Sequence, residues 1–263
     1  MKQPLPQDRR ILEALARFHV LTAEQVRRLF YGKSLTYVQS QVMPRLVAAG
    51  LVQDLHFAKT MRYGSFPIVY TLTPKGWREI GMPPPRFKRT EQSASHLLHS
   101  LAVNDVCIGA ELFARRYPQV SLVELEHEWD FKRNPFRADV GSVAPDGLLR
   151  FRIGTEPQDV LLEVDRSTEG KAQWLAKIEP LLALAQGSFQ ELYDTPFAPT
   201  IAVLTTGGEQ RRRHLQAWTA EQDTDSLCLF ASVDPAADPD SLFLSPIWYP
   251  SRQGDAESLF ALP

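Results

Sequence analysis

Residues Pro145 to Lys177 read PDGLLRFRIGTEPQDVLLEVDRSTEGKAQWLAK, and the apolar run Val160 to Val164 inside this stretch decides how the second half of the chain is read. A short continuous apolar run bounded by Gln158 and Asp159 predicts a buried central strand, and Glu163 interrupts it. Side chains alternate along a strand, so Leu161, Glu163 and Asp165 share one face while Leu162 and Val164 take the other. Upstream, Pro145-Asp146-Gly147 predicts a turn into Leu148 to Ile153, a run short enough to form a hairpin with the Glu163 strand. That pairing brings Asp146 beside Glu163. Buried carboxylates are costly unless paired or bound to a metal, and clustered carboxylate oxygens suit a hard divalent cation. Taken singly, Pro-Asp-Gly is an ordinary tight turn and Glu163 a strand residue paired with a Lys or Arg. The combination points to a site.

Pro145-Asp146, then Glu163 after a hairpin, then a helix with basic residues, resembles the PD-(D/E)XK nuclease superfamily. Residues 94–177 also resemble the replication-relaxation family of plasmids and phages. That likeness lies in His96-Leu97-Leu98-His99-Ser100-Leu101-Ala102-Val103-Asn104-Asp105, in Pro145-Asp146-Gly147 and in Leu162-Glu163-Val164-Asp165-Arg166-Ser167-Thr168-Glu169. The resemblance implies an α/β restriction-endonuclease-like domain with a mixed central sheet. It also implies a Mg²⁺ or Mn²⁺ held by Asp146 and Glu163, with Glu111 of the preceding helix as a further ligand. The superfamily places a lysine two residues after the glutamate; here that position is Asp165. A cation beside the scissile phosphate stabilises transition-state charge, so Lys171 or Lys177 of the next helix must supply it if the site is catalytic. The resemblance favours Lys177; helical phase slightly favours Lys171. Asp165 itself joins the candidate set.

The chain has 263 residues, enough for two domains. Its formal net charge of −2 conceals an asymmetry: residues 1–90 hold 15 Lys and Arg against 5 Asp and Glu, and residues 91–263 hold 14 against 26. A basic head suggests a polyanionic partner. The two cysteines, Cys107 and Cys228, lie in apolar stretches without metal-ligand spacing and are expected as buried free thiols. The first residues, MKQPLPQDRR, lack a signal-peptide core, and no run of about 18 apolar residues suggests a membrane span, so a cytoplasmic location without membrane association is expected.

In the head, Ile11, Leu12, Leu15 and Phe18 recur at helical spacing. Thr22 to Gln25 reads as a capping box opening a second helix, and Ser34 as the cap of a third. In that third helix Leu35, Val38, Val42, Leu46 and Ala49 face inward and Thr36, Tyr37, Ser40, Gln41 and Arg45 outward. Pro44 fits this helix poorly, since it removes a backbone donor. Strands at 51–57 and 68–72 flank a basic tip, followed by Leu72-Thr73-Pro74-Lys75-Gly76. Three helices and a hairpin form a winged helix-turn-helix pattern, and the segment resembles prokaryotic winged-helix regulators. On that resemblance Thr36, Tyr37, Ser40, Gln41 and Arg45 read bases or nearby phosphates of double-stranded DNA, while Arg27, Arg28, Lys33, Lys59 and Arg62 hold phosphates.

The expected organisation is a winged helix-turn-helix at 1–82, a Pro-rich basic linker at 83–93 and a PD-(D/E)XK nuclease-like domain at 94–263. Within the last, residues 94–117 form a helix with a narrow polar stripe at Ser100, Asn104, Cys107 and Glu111. Residues 122–131 form an edge strand with solvated Glu124, Glu126, Glu128 and Asp130. Helices are expected at 168–185 and 208–219, and strands at 201–205 and 242–248. Arg211, Arg212 and Arg213 are expected on a solvated face. Three functions follow from this reading: a replication-relaxation type DNA-binding protein with a nuclease-like body; a Mg²⁺- or Mn²⁺-dependent endonuclease or nickase; or a scaffold docking a relaxase or replication protein. Reading of a palindrome would make it a homodimer.

Overall fold

The computed structural model describes residues 5–32, 34–55, 66–84, 93–133, 144–167, 169–252 and 254–262. The chain forms two compact units, 1–104 and 105–263. The architecture is α+β, with a small three-stranded antiparallel sheet and a mixed six-stranded sheet.

In the first unit, α1 (Pro6–Phe18) buries Ile11, Leu12, Leu15 and Phe18. After β1 (Leu21–Thr22), α2 (Ala23–Phe30) opens on the expected capping box: the Gln25 amide donates to Thr22 Oγ1 at 3.2 Å and the Thr22 amide to Gln25 Oε1 at 3.0 Å. The third helix is not uniform. It runs as α3 (Leu35–Tyr37), a π turn (Val38–Val42) and α4 (Met43–Ala48). In an unbroken α-helix the Pro44 ring would collide with the carbonyl four residues earlier, and the wider turn accommodates it. Ser34 makes no side-chain cap, and Ala49 is exposed rather than core. Strands β2 (Val52–Leu55) and β3 (Val69–Leu72) pair antiparallel, and β1 adds to β3.

The Leu-Thr-Pro-Lys-Gly motif acts as a clasp at the start of α5 (Pro74–Glu79). Thr73 Oγ1 donates to the Gly50 carbonyl at 2.7 Å and accepts from the Gly76 amide at 3.0 Å; Lys75 Nζ donates to the Ala49 carbonyl at 2.6 Å. These bonds satisfy carbonyls left open at the end of α4. A Cβ on Gly76 would lie 2.1 Å from the Leu51 carbonyl oxygen, so the turn admits no side chain.

Helix α6 (Ala94–Arg116) is apolar on most sides. Its expected polar stripe is internal instead: Asn104 and Cys107 are buried, and Asn104 Nδ2 donates to the Phe18 and Val20 carbonyls at 3.1 and 2.7 Å. Cys107 and Cys228 are buried and outside any disulfide, as expected.

The second unit's sheet has the order β4-β5-β6-β7-β8-β9, formed by Val120–His127, Gly147–Ile153, Glu156–Asp165, Thr200–Thr205, Cys228–Ser232 and Tyr249–Pro250. Strands β4, β5 and β6 are antiparallel, β6, β7 and β8 parallel, and β9 antiparallel to β8. Helices α8 (Lys171–Gln186), α9 (Phe189–Tyr193) and α10 (Gly208–Thr219) pack Trp174, Ile178, Leu181, Phe189 and Leu215 against Leu148, Leu161, Ile201, Val203 and Phe230. On the opposite face Phe113 of α6 meets Phe151, with Phe243 and Phe260 completing an aromatic cluster.

Two expected strands are corrected. Strand β4 ends at His127, where the Asp130 carboxylate accepts the His127 amide at 2.9 Å and turns the chain into α7 (Glu128–Arg133). In place of a strand at 242–248, Asp238 caps a helix, α11 (Pro239–Phe243), by accepting from the Asp240 amide, with Pro239 preset for its first turn. The adjacent Leu242 and Phe243 are both buried, which mimics a strand's apolar run.

Replacing Gly76 with Ala is expected to destabilise the protein by about 2–3 kcal/mol, as an overpacked site does, read as a lowered midpoint in chemical denaturation.

Candidate functional site

Strand β6 occupies an inner position in the sheet, and Glu163 on it has 0% exposure. Gly147 of β5 stands opposite Leu162, so the register places Asp146 across from Glu163 on the face that α8 covers. Asp146 is anchored by the Val164 amide, which donates to its Oδ2 at 2.8 Å. From α8, Lys177 Nζ forms an ion pair with Glu163 and lies 3.5 Å from Asp146 Oδ2. Among the described residues neither Glu163 oxygen accepts a well-aligned hydrogen bond, so its compensation is ionic.

Lys177, not Lys171, therefore brings the positive charge. Lys177 lies three residues after Trp174 and one before Ile178, both buried against the sheet, whereas Lys171 is exposed at the first position of α8. The small phase advantage of Lys171 is outweighed by the start of the helix, which falls at Lys171 rather than at residue 168.

Asp165 does not join this cluster. Arg211 of α10 donates to it through Nε and Nη2 at 2.9 and 2.6 Å, Thr205 Oγ1 at 2.6 Å and the Ser167 amide at 3.1 Å. Burial works to raise its pKa, and the bonds from Arg211 and Thr205 overcome that, holding the carboxyl below the ordinary range. Ser167, at φ 60°, approaches Gly207 so closely that a Cβ there would lie 1.7 Å from its Oγ. The lysine slot of the superfamily pattern is thus occupied by a knot joining the ends of β6 and β7 to α10. Arg211 was not separable in the sequence from the run Arg211-Arg212-Arg213. Arg212 is also buried, stacked 3.8 Å over the Tyr249 ring and paired with Glu209, so the expected solvated face holds only Arg213.

Glu111 is also separate. It lies on α6, which packs through Phe113 on the sheet face opposite Glu163, and it pairs with Arg115 one turn along its own helix at 2.5 Å. No group of three or more His, Cys, Asp and Glu within metal-holding reach occurs among the described residues.

Electrostatically, the site combines two carboxylates and one ammonium in a buried setting. Burial, and next the Asp146 charge, push the Glu163 carboxyl up to about 8. Burial opposes the charge on Lys177, but Glu163 and Asp146 outweigh it and hold the ammonium far above the ordinary lysine value. Lys177 therefore stays charged while the Glu163 carboxyl holds its proton up to about pH 8. With both carboxylates ionised the cluster carries one net negative charge. Two carboxylates suit Mg²⁺ or Mn²⁺ where substrate phosphate and water complete the coordination, so Asp146 and Glu163 fit such an ion. Lys177 keeps 29% of its side chain exposed, while Asp146 and Glu163 are buried.

In the first unit, Thr36, Tyr37, Ser40 and Gln41 are exposed, together with Gln39. Arg45 is exposed as well and is ion-paired with the buried Asp8 of α1, and Arg27 pairs with Glu24 at 2.6 Å. Arg28 is half-buried on α2, while Lys33, Lys59 and Arg62 lie outside the described residues.

Lys177→Ala removes the ammonium from the buried Glu163 and Asp146 and is expected to cost about 3 kcal/mol, near the low end for buried pairs because Lys177 is partly exposed. Lys171→Ala should stay within about 0.5 kcal/mol; urea denaturation of both variants checks this. Because the Glu163 pKa is raised on folding, its contribution is complete below the ordinary value of 4.5 and is lost as pH rises toward about 8. The stability of Glu163→Gln relative to the parent should therefore increase across that window in cation-free buffer.

Among known proteins, the sequence model of the family described as replication-relaxation matches residues 12–196, from α1 to just past α9 and including Asp146, Glu163, Asp165 and Lys177. No curated protein and no solved structure matches the chain. With the match spanning more than two thirds of its length, the chain belongs to the replication-relaxation family.

Proposed function

We propose that this protein binds double-stranded DNA through a winged helix-turn-helix in its first unit and carries a PD-(D/E)XK nuclease-like body in its second. The observation that carries this reading is the exposed polar face of the third helix, Thr36, Tyr37, Gln39, Ser40 and Gln41, in a segment, residues 1–90, with 15 Lys and Arg against 5 Asp and Glu. The helix meets the major groove and the β2–β3 hairpin lies along the backbone. The cationic residues hold phosphates and release counterions on binding.

A second reading, metal-dependent DNA cleavage, is favoured by the convergence of Asp146, Glu163 and Lys177. Asp146 and Glu163 would hold Mg²⁺ or Mn²⁺. A bound ion of this kind polarises a phosphodiester and makes its water more acidic. Lys177 keeps a fixed positive charge beside the carboxylates, suited to charge building on phosphate oxygens. Asp165 orders the end of β6 through Arg211 and takes no part in proton transfer.

One experiment addresses both readings: supercoiled plasmid with purified protein, with and without Mn²⁺ or Mg²⁺, beside Asp146→Ala and Glu163→Ala. A retarded band that weakens steeply with salt is expected, and its absence at low salt would overturn the DNA-binding reading. Nicking by the parent and by neither variant supports cleavage at this site; equal nicking by all three excludes it. Binding without nicking leaves DNA recognition as the activity. A co-purifying relaxase or replication protein that displaces DNA would favour a scaffold instead.

A further inference from the structure

The third helix carries a feature that its amphipathic pattern does not show. Met43 donates its amide to the Val38 carbonyl, five residues back, and the turn widens over Val38–Val42. Pro44, one residue later, has no amide to give and could not follow a narrower turn without meeting the Ser40 carbonyl. Val38, Val42, Met43 and Leu46 go inward, and Gln39, Ser40 and Gln41 stand consecutively in solvent. Such single π turns are frequent where a helix carries function.

Arg45, the residue of this helix best suited to a guanine, is engaged elsewhere. Asp8, 4% exposed, binds its guanidinium, and Asp8 is itself held at the start of α1 by the Leu5 amide at 3.2 Å. Arg45, with 41% of its side chain exposed, is thus tied to a group that is itself buried.

We infer that sequence reading in this protein is done by the neutral side chains of the π turn, with Gln39 and Gln41 as specificity-determining residues, while Arg45 is a positioning residue held back from the bases. The occupant of this face is the major groove of duplex DNA, matching the basic charge of the segment. Glutamine pairs through two bonds with the adenine N6 and N7 edge, so the preferred site contains adenine at the positions facing the turn. The inference rests on the DNA-binding reading above and assigns its readout.

The test uses the full chain. A randomised duplex pool is selected for binding, and the parent, Gln39→Ala, Gln41→Ala and Pro44→Ala are then compared on a selected duplex and on a scrambled one. The parent should prefer an adenine-containing site. Each glutamine variant should lose about 10- to 100-fold of that preference, read as the ratio of its affinities for the selected and the scrambled duplex. Pro44→Ala, which permits an ordinary α-helix, should select a different sequence; if it fails to fold, the two glutamine variants decide alone. Unchanged preference in both, or a parent pool with no common sequence, overturns the inference while DNA binding stands. A parent that retains no duplex at all removes the DNA-binding reading and this one with it.

Discussion

A carboxylate with no solvent exposure, Glu163, sits on an inner strand, and the arrangement around it follows from the cost of keeping it there. An isolated buried charge is not tolerable, so the chain must deliver a cation, a proton or both to that point. Lys177 delivers the cation, and burial together with the neighbouring Asp146 charge favours a proton on Glu163. Both answers constrain the fold: the β5–β6 register must set Asp146 opposite Glu163, and α8 must lie on that face with Lys177 turned inward. A hydrophobic residue at 163 would pack more cheaply, so the cluster is better understood as a site than as a source of stability.

Two residues along the same strand, Asp165 presents the same face with the opposite solution. Its oxygens are filled by Arg211, Thr205 and Ser167, and its pKa falls where that of Glu163 rises. The contrast arises because Asp165 lies at the strand's end, where polar groups of β7 and α10 are within reach, whereas Glu163 is surrounded by Leu161, Val203 and other apolar neighbours. Equal residue chemistry on one strand thus yields one strained pair and one satisfied knot.

In the first unit the governing constraint is backbone geometry. Pro44 imposes a wider turn on the third helix, and Gly76 admits the Leu51 carbonyl where any side chain would collide. Asp8 then ties the last part of that helix to α1 through Arg45. The exposed polar residues Thr36, Tyr37, Gln39, Ser40 and Gln41 are displayed on a helix tied down in its later part.

Much of this was legible in the chain itself. The Thr22–Gln25 box, the alternation of Leu161, Glu163 and Asp165, the Asp146 turn and the buried face of α8 are local patterns, set by backbone periods and hydrogen bonds between near neighbours. The choice of Lys177 over Lys171, the capture of Asp165 by Arg211 46 residues away, the burial of Asn104 and Cys107 and the placement of Glu111's helix on the opposite face were decided only in three dimensions. Charge pairing and burial depend on which distant segments the sheet order sets side by side, and no local period in the sequence encodes that.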